Sequence, residues 1–379
     1  MVLNTCECGP IRPPSEAFSL LVRVVRNCPW NRCRFCFSYR DTEFSLRSIE
    51  DIKHEIDTFR EVYNSILILS QSEEFKGNLR GAVLSVMRNP PSRTFYNVGL
   101  WMSHGAKTAF LQDADAIIMR TPELVEVLKY LRSELPTIER VTSYGRSLTA
   151  SHKTIEELQQ IHQAGLDRLH IGLESGSDAV LKMMNKGVTA AKHIEGGRKV
   201  MASGIALSEY VLLGLGGQAL WREHALETAR VLNAINPDFI RIRTLAIYPG
   251  IAMCEDVERG DFLRQTDEAM VEELRLLVEN LDCTSTLASD HIGNLLQDVQ
   301  GKLPDDKEKM LAVIAQFQSM TPVERFHFRA GRRAGIYTSL YEMQDINKKA
   351  MVDDIINRLS HGTGEIDDAT VYEMRLRYH

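Results

Sequence analysis

The feature that most constrains this chain is an alternation of short β-like runs with amphipathic helical stretches, sustained from residue 19 to residue 245. The runs that predict strands are 20–25 (LLVRVV), 108–112 (TAFLQ), 140–144 (RVTSY), 168–173 (RLHIGL), 207–213 (LSEYVLL) and 239–245 (FIRIRTL). Helical patterns with recognisable ends lie between them. Thr121-Pro122 opens one helix and Pro136 closes it, with proline at the first helical position. Thr154 and Glu157 form a capping box ahead of another, which Gly165 ends. Asn236-Pro237-Asp238 breaks a third. Strands that alternate with helices pair in parallel, because a parallel neighbour needs a crossover connection. Six such units predict a mixed α/β fold, a partial (β/α)6 TIM-like barrel, in preference to a doubly wound open sheet. After Pro249-Gly250 helical periodicity takes over. The expected organisation is a tail (1–18), a core (19–253) with a helical insert (64–107) that packs on one face or acts as a lid, and a helical region (254–379).

Composition excludes several classes. At 379 residues with 44% hydrophobic and 25% charged residues, the chain is an ordinary globular protein without low-complexity segments. No apolar stretch approaches the roughly 20 residues of a membrane-spanning helix. Lys and Arg number 45 against 51 Asp and Glu, a balance of −6 that gives no general pull toward nucleic acid. Seven cysteines, an odd number, and a first segment without a secretory pattern predict free thiols and a cytoplasmic setting.

Three of those cysteines fall within nine residues, in RNCPWNRCRFCFSYRD directly after the first strand. Reacting groups of α/β barrels collect at that edge. Cys28, Cys33 and Cys36 are spaced C-x4-C-x2-C. Soft thiolates suit zinc or iron–sulfur clusters, and structural zinc takes four protein ligands. With no fourth Cys or His nearby, the set suits a [4Fe–4S] cluster with one iron left open, zinc completed from elsewhere being the alternative. Cys6-Glu7-Cys8 reads as a frayed tail, a second metal site or redox pair being the minor reading. Cys254 and Cys283 read as buried apolar side chains.

In this loop the chain resembles the radical S-adenosylmethionine (radical SAM) superfamily, particularly the branch of oxygen-independent coproporphyrinogen oxidase-like and Elongator-catalytic-subunit-like proteins. The likeness runs from about residue 19 to residue 250. The family pattern is C-x3-C-x2-C with an aromatic residue before the last cysteine; here Phe35 fills that place and the first gap is one residue longer. The resemblance implies a [4Fe–4S] cluster held by the three cysteines and S-adenosylmethionine (SAM) bound by strand-end loops. Asp113 and Asp115 in FLQDADA stand where the family binds the methionine amino group, although its glycines are missing. In HIGLESGSDAVLKMMNKG, Glu174 falls at the ribose-contacting position, Ser175 lies in the same turn, and Lys186 is placed to meet the methionine carboxylate. LLGLGGQ resembles the loop that approaches adenine, with Glu209 as a further polar contact, and Ser143 follows the third strand. The implied activity is reductive cleavage of SAM to a 5′-deoxyadenosyl radical that abstracts hydrogen from a small organic substrate. An electron donor such as flavodoxin or ferredoxin is implied with it. A non-catalytic haem- or SAM-delivering relative and a zinc-binding nucleic-acid module are the alternatives.

Outside those loops, Arg241 and Arg243 alternate with isoleucines and project to one face, suited to a substrate anion or to structural ion pairs. Asp290-His291 reads as a helix cap, and ERFHFRAGRR (324–333) as a solvated basic helix face.

Overall fold

The structure is a computed structural model that describes residues 6–360 and 368–376. Residues 1–5 of the expected tail, and 361–367 and 377–379 of the C-terminal region, lie outside the described residues. In chain order the elements are β1 (Leu20–Arg23), β2 (Val25–Arg26), β3 (Ser45–Leu46), α1 (Ile49–Ser70), α2 (Leu79–Arg88), α3 (Arg93–Ser103), β4 (Thr108–Gln112), α4 (Thr121–Glu134), β5 (Arg140–Gly145), α5 (Ser147–His152), α6 (Ile155–Gln163) and β6 (Leu166–Glu174). There follow α7 (Asp178–Met183), α8 (Ala190–Ser203), β7 (Ala206–Leu213), α9 (Gly217–Ile235), β8 (Phe239–Thr244), α10 (Ala252–Glu258), α11 (Asp267–Asn280), β9 (Thr286–Ala288), β10 (Gly301–Lys302), α12 (Lys307–Ser319), α13 (Pro322–Arg333), α14 (Ile346–Leu359) and α15 (Asp368–Leu376).

One eight-stranded sheet has the order β1-β4-β5-β6-β7-β8-β9-β10. It is mostly parallel, and β10 pairs antiparallel with β9. Each of the six predicted strands has a counterpart in it, in the order of a TIM-like partial barrel, but the predicted run 20–25 is split: 20–23 joins this sheet as β1, and Val25–Arg26 (β2) pairs with β3 in a separate ribbon. The sequence reading of 254–379 as helical missed β9 and β10. Three- and two-residue strands are too short to carry a period-two pattern.

The chain divides into two compact units. The first holds residues 38–171 and 195–207 with the described residues up to 31. Leu20, Val22, Ala109, Leu111 and Val141 of its strands are buried with Ile52, Ile56, Phe59 and Leu124 of its helices. The 64–107 stretch supplies the end of α1 together with α2 and α3, which pack on α1; α3 also packs on β1. Trp101 is buried there and donates its indole N–H to the Thr108 carbonyl at 2.9 Å. The capping box of Thr154 and Glu157 forms at α6. β2 and β3 pair antiparallel and close the neck of the cysteine loop.

The second unit holds 32–37, 172–194 and the described residues from 208 onward. Its core includes Val180, Met184, Leu215, Leu245, Ile251, Met253 and Phe262. α9 ends at Asn236, whose left-handed backbone (φ 54°) precedes the proline. The 324–333 stretch is not a solvated face: His327, Arg329, Arg332 and Arg333 of α13 are buried. Arg332 donates to the carbonyls of Asn294 and Ile292, and Arg333 to Gly293 O and Asp267. Carbonyls and a carboxylate distant in sequence thus offset the desolvation of these guanidiniums.

Candidate functional site

Cys28 lies in the first unit, where its Sγ accepts the backbone N–H of Asn31 at 3.4 Å. Asn27 and Asn31 are both left-handed (φ 66° and 44°), which asparagine tolerates. Their amides tie the loop down, donating to Glu43 O and Thr42 O. In the second unit the segment 32–37 is fastened at several points. Arg34 N donates to Met184 O, Met253 N donates to Arg34 O, and Asn185 Nδ2 donates to Arg32 O. The Arg34 guanidinium grips Asp256 with two bonds of 2.6 and 2.5 Å. Cys36 N donates to Cys33 O, forming a turn between those two cysteines.

All seven cysteines are free. Among the described residues no group of three or more His, Cys, Asp or Glu side chains is gathered as a metal site. The donor set nevertheless fits a cluster: three partly exposed thiols on one loop, with a backbone N–H aimed at one sulfur, a contact that tunes such centres.

Three further expected residues meet in the second unit. Lys186 Nζ donates to Glu174 Oε1 at 3.2 Å and lies 5.6 Å from the centre of the Phe35 ring. Phe35 packs on the apolar cluster around Met184 and Met253. Glu174 ends β6 with a left-handed backbone (φ 62°), and its carboxylate folds over Gly172, where any Cβ would sit 2.2 Å from Oε1. Glu209 is fully buried and neither carboxylate oxygen has a hydrogen-bond partner. Burial, reinforced by the Glu174 charge and opposed by Lys186, pushes its carboxyl up to about 8. It is therefore largely protonated at neutral pH. The unsatisfied carboxyl beside an acid–base pair is the polar group here whose bonds a ligand could complete. Ser175 is buried and accepts the Ser177 N–H, shaping the turn that opens α7.

A buried network missed by the sequence reading holds this turn. His224 Nε2 lies 3.1 Å from the Glu174 carbonyl and Nδ1 lies 2.8 Å from Glu273 Oε1. Burial works against the imidazolium, but the Glu273 charge and hydrogen bond outweigh it and raise the histidine above its usual value. Glu273 also accepts the Gly214 N–H at 3.1 Å and bonds Gln265. One carboxylate thus braces the loops after β6 and β7 together. Only the helical periodicity around Glu273 was visible in the sequence.

The remaining expected residues are engaged within the first unit. Asp113 is buried and paired with Arg23 at 2.5 Å, and Gly9 passes so close that a Cβ there would stand 2.9 Å from Oδ1. Burial raises its carboxyl, the Arg23 contact opposing. Asp115 accepts the Arg146 N–H and the Thr149 hydroxyl at the head of α5; desolvation lifts it to about 6. Ser143 Oγ lies 2.8 Å from the Tyr144 carbonyl and 3.2 Å from that of Leu111, its single O–H shared between them. Asp115 and Ser143 thus use their polar atoms inside the fold. In the second unit Arg241 and Arg243 both pair with Asp290, at 2.5 and 3.0 Å, the ion-pair outcome of the two expected. Cys283 is buried as expected, whereas the partly exposed Cys254 donates its thiol to Tyr248 O.

The sequence from residue 22 to residue 229 matches the radical SAM superfamily. This is more than half of the chain, and the protein belongs to that superfamily, whose members use a [4Fe–4S] cluster and SAM. Among solved structures it is similar to methylornithine synthase (PylB), with 11% identity over 78% of this chain and 68% of that one and a TM-score of 0.43. It is also similar to coproporphyrinogen III oxidase (HemN) from Escherichia coli, with 13% identity over 69% of this chain and 51% of that one and a TM-score of 0.43. A third is the SAM methyltransferase TsrM from Kitasatospora setae, bound to cobalamin and a [4Fe–4S] cluster, with 12% identity over 95% and 61% and a TM-score of 0.45. The chain spans between 51% and 68% of the length of these three. No curated protein matches the sequence. No helix among the described residues is long and apolar enough to cross a membrane.

Proposed function

We propose that this chain cleaves SAM reductively and directs the resulting radical at a C–H bond of a small organic substrate. The observation that carries the reading is the Cys28, Cys33 and Cys36 loop inside the superfamily match. In this reading the three thiolates hold a [4Fe–4S] cluster. Held there by Cys28, Cys33 and Cys36, such a cluster would supply the single electron for reductive cleavage of a sulfonium C–S bond of SAM to methionine and a 5′-deoxyadenosyl radical.

The chain's own residues bind and position. Lys186 offers its ammonium to the methionine carboxylate, and Glu174 offers its carboxylate to the ribose hydroxyls. Each now satisfies the other at 3.2 Å, so a ligand exchanges one ion pair for two polar contacts instead of meeting bare charges. Glu209, held protonated, keeps a second negative charge away from Glu174 and presents an O–H that can donate. Phe35 gives Lys186 an apolar and π-faced support. His224 and Glu273 fix the backbone on which Glu174 stands. Asp113, Asp115 and Ser143 brace loops of the first unit. A flavodoxin- or ferredoxin-type protein supplies the electron, and a reducing cytoplasm suits the seven free thiols.

Protein loaded anaerobically with iron and sulfide is expected to hold about four irons per chain and to release 5′-deoxyadenosine on reduction by dithionite. C28S, C33S and C36S are each expected to lose that iron. One zinc with no iron, or an intact cluster that leaves SAM whole, overturns the proposal.

A further inference from the structure

The segment ahead of β1 is not frayed over its described residues. Cys6 N donates to Thr94 Oγ1 at 3.2 Å, Glu7 N to Glu55 Oε1 at 2.7 Å, and Gly9 N to Gln112 Oε1 at 2.6 Å. Residues 6–9 thus form a strap fixed to α1, α3 and β4. Between its two cysteines, Glu7 takes two bonds from Arg26, of 2.8 and 2.6 Å, and pairs with Arg23 and Arg47.

The two sulfurs are brought together by one donor. Asn97 Nδ2 stands 3.6 Å from Cys6 Sγ and 3.7 Å from Cys8 Sγ. Cys6 is buried and Cys8 is partly open, and both sulfurs lie within reach of the one Asn97 amide. The neighbouring Cys8 thiol draws Cys6 down to about 6; burial opposes it, while Thr94, Asn97 and the Arg93 charge help. Cys8 is pushed up as the partner that keeps its proton. The pair resembles a poised dithiol: a stabilised thiolate beside a thiol, with shared hydrogen bonding.

We propose that Cys6 and Cys8 form a redox-active dithiol, a modification site whose substrate is a small-molecule disulfide such as oxidised glutathione. The Cys6 thiolate attacks one sulfur of the glutathione disulfide, forming a mixed disulfide and expelling one glutathione thiolate. With the negative charge on Cys6 gone, the cause that held the Cys8 proton is gone too. That proton passes to the departed thiolate, Cys8 attacks Cys6 Sγ, and a second glutathione thiolate leaves. One protein thiolate and one protein thiol are oxidised to a disulfide, and one glutathione disulfide is reduced to a thiol and a thiolate, the latter taking its proton from solvent, so that electrons and atoms balance. Two sulfur ligands without a third or fourth do not make a structural zinc site. The site is independent of the cluster reading, since none of its residues belongs to the Cys28–Cys36 set.

The test is thiol mapping of the full-length protein, handled anaerobically and treated with oxidised glutathione. After alkylation, mass mapping should show a Cys6–Cys8 disulfide that dithiothreitol reverses. C8S should trap glutathione on Cys6, and C6S should leave Cys8 unmodified. At pH 7 Cys6, although buried much as Cys283 is, should alkylate with iodoacetamide on the order of tenfold faster than that cysteine. Circular dichroism confirms the fold of each variant, and if C8S does not fold, mapping of the unsubstituted chain decides. Absence of the Cys6–Cys8 disulfide in folded protein overturns the proposal. So does stoichiometric zinc bound at these two sulfurs, released by C6S and by C8S.

Discussion

Glu209 makes stability depend on pH in a direction opposite to that of a salt-bridged carboxylate. Its carboxyl is raised from an ordinary value of 4.5 to about 8 because it is fully buried near Glu174. In the unfolded chain the same group ionises near its ordinary value, so above that pH unfolding releases a proton. The unfolded state then binds fewer protons, and stability falls as pH rises. The penalty begins near 4.5, grows through neutrality and levels off above the folded value. At roughly 1.4 kcal/mol per pH unit it reaches about 3 kcal/mol at pH 7. Glu209→Gln removes the titration and keeps the shape. Urea unfolding of iron-free protein, followed by circular dichroism from pH 5 to pH 8, should show E209Q gaining on the unsubstituted protein by about 3 kcal/mol across that range. A difference in stability that does not change with pH would refute the reasoning, since it would mean that Glu209 ionises alike in both states.

Three other substitutions probe the anchoring of the site. Arg34→Ala removes a half-exposed two-bond grip on Asp256; it should cost about 1 kcal/mol in urea unfolding and hasten iron loss to a chelator several-fold. Lys186→Met should weaken SAM binding about tenfold in equilibrium dialysis, the loss expected for one charge-assisted contact, with iron content unchanged. Glu273→Gln takes the charge from a buried carboxylate that braces His224 and Gly214. It should destabilise the fold by about 2–4 kcal/mol and shift the His224 titration downward by NMR, a movement that a packing defect alone would not produce.

The alternating architecture was readable because each strand and helix carries its own period and its own stop signals, as Thr154 with Glu157 and Asn236 with Pro237 show. The sequence reading failed where partners are remote. The arginines of α13 look like a solvated face until the carbonyls of 292–294 and Asp267 come to meet them. Cys6 to Gly9 look like a loose end because Thr94, Asn97 and Gln112 lie some ninety residues and more away. Likeness to the family's amino-group-binding segment singles out Asp115, and its place by the third strand singles out Ser143. Neither signal reveals the bonds to Arg146 and Thr149 or to the carbonyls of Leu111 and Tyr144 that the fold provides. Phe35 in the cysteine loop and Glu174 with Lys186 in the loop after the fourth strand stand out for separate reasons, and the fold brings the three side chains together.

Two of the acids at strand ends, Asp113 and Glu174, adopt backbone angles that glycine accepts and side-chained residues resist (φ 68° and 62°). Each such position costs about 1 kcal/mol or more. In a laboratory lineage selected for heat resistance alone, relief of that strain would compete with the loss of the Arg23 and Lys186 ion pairs that glycine would forfeit. A lineage also required to keep its chemistry would, on the proposed SAM-binding reading, hold Glu174, so the fate of these two codons under the two regimes separates what the chain needs to stand from what it needs to work.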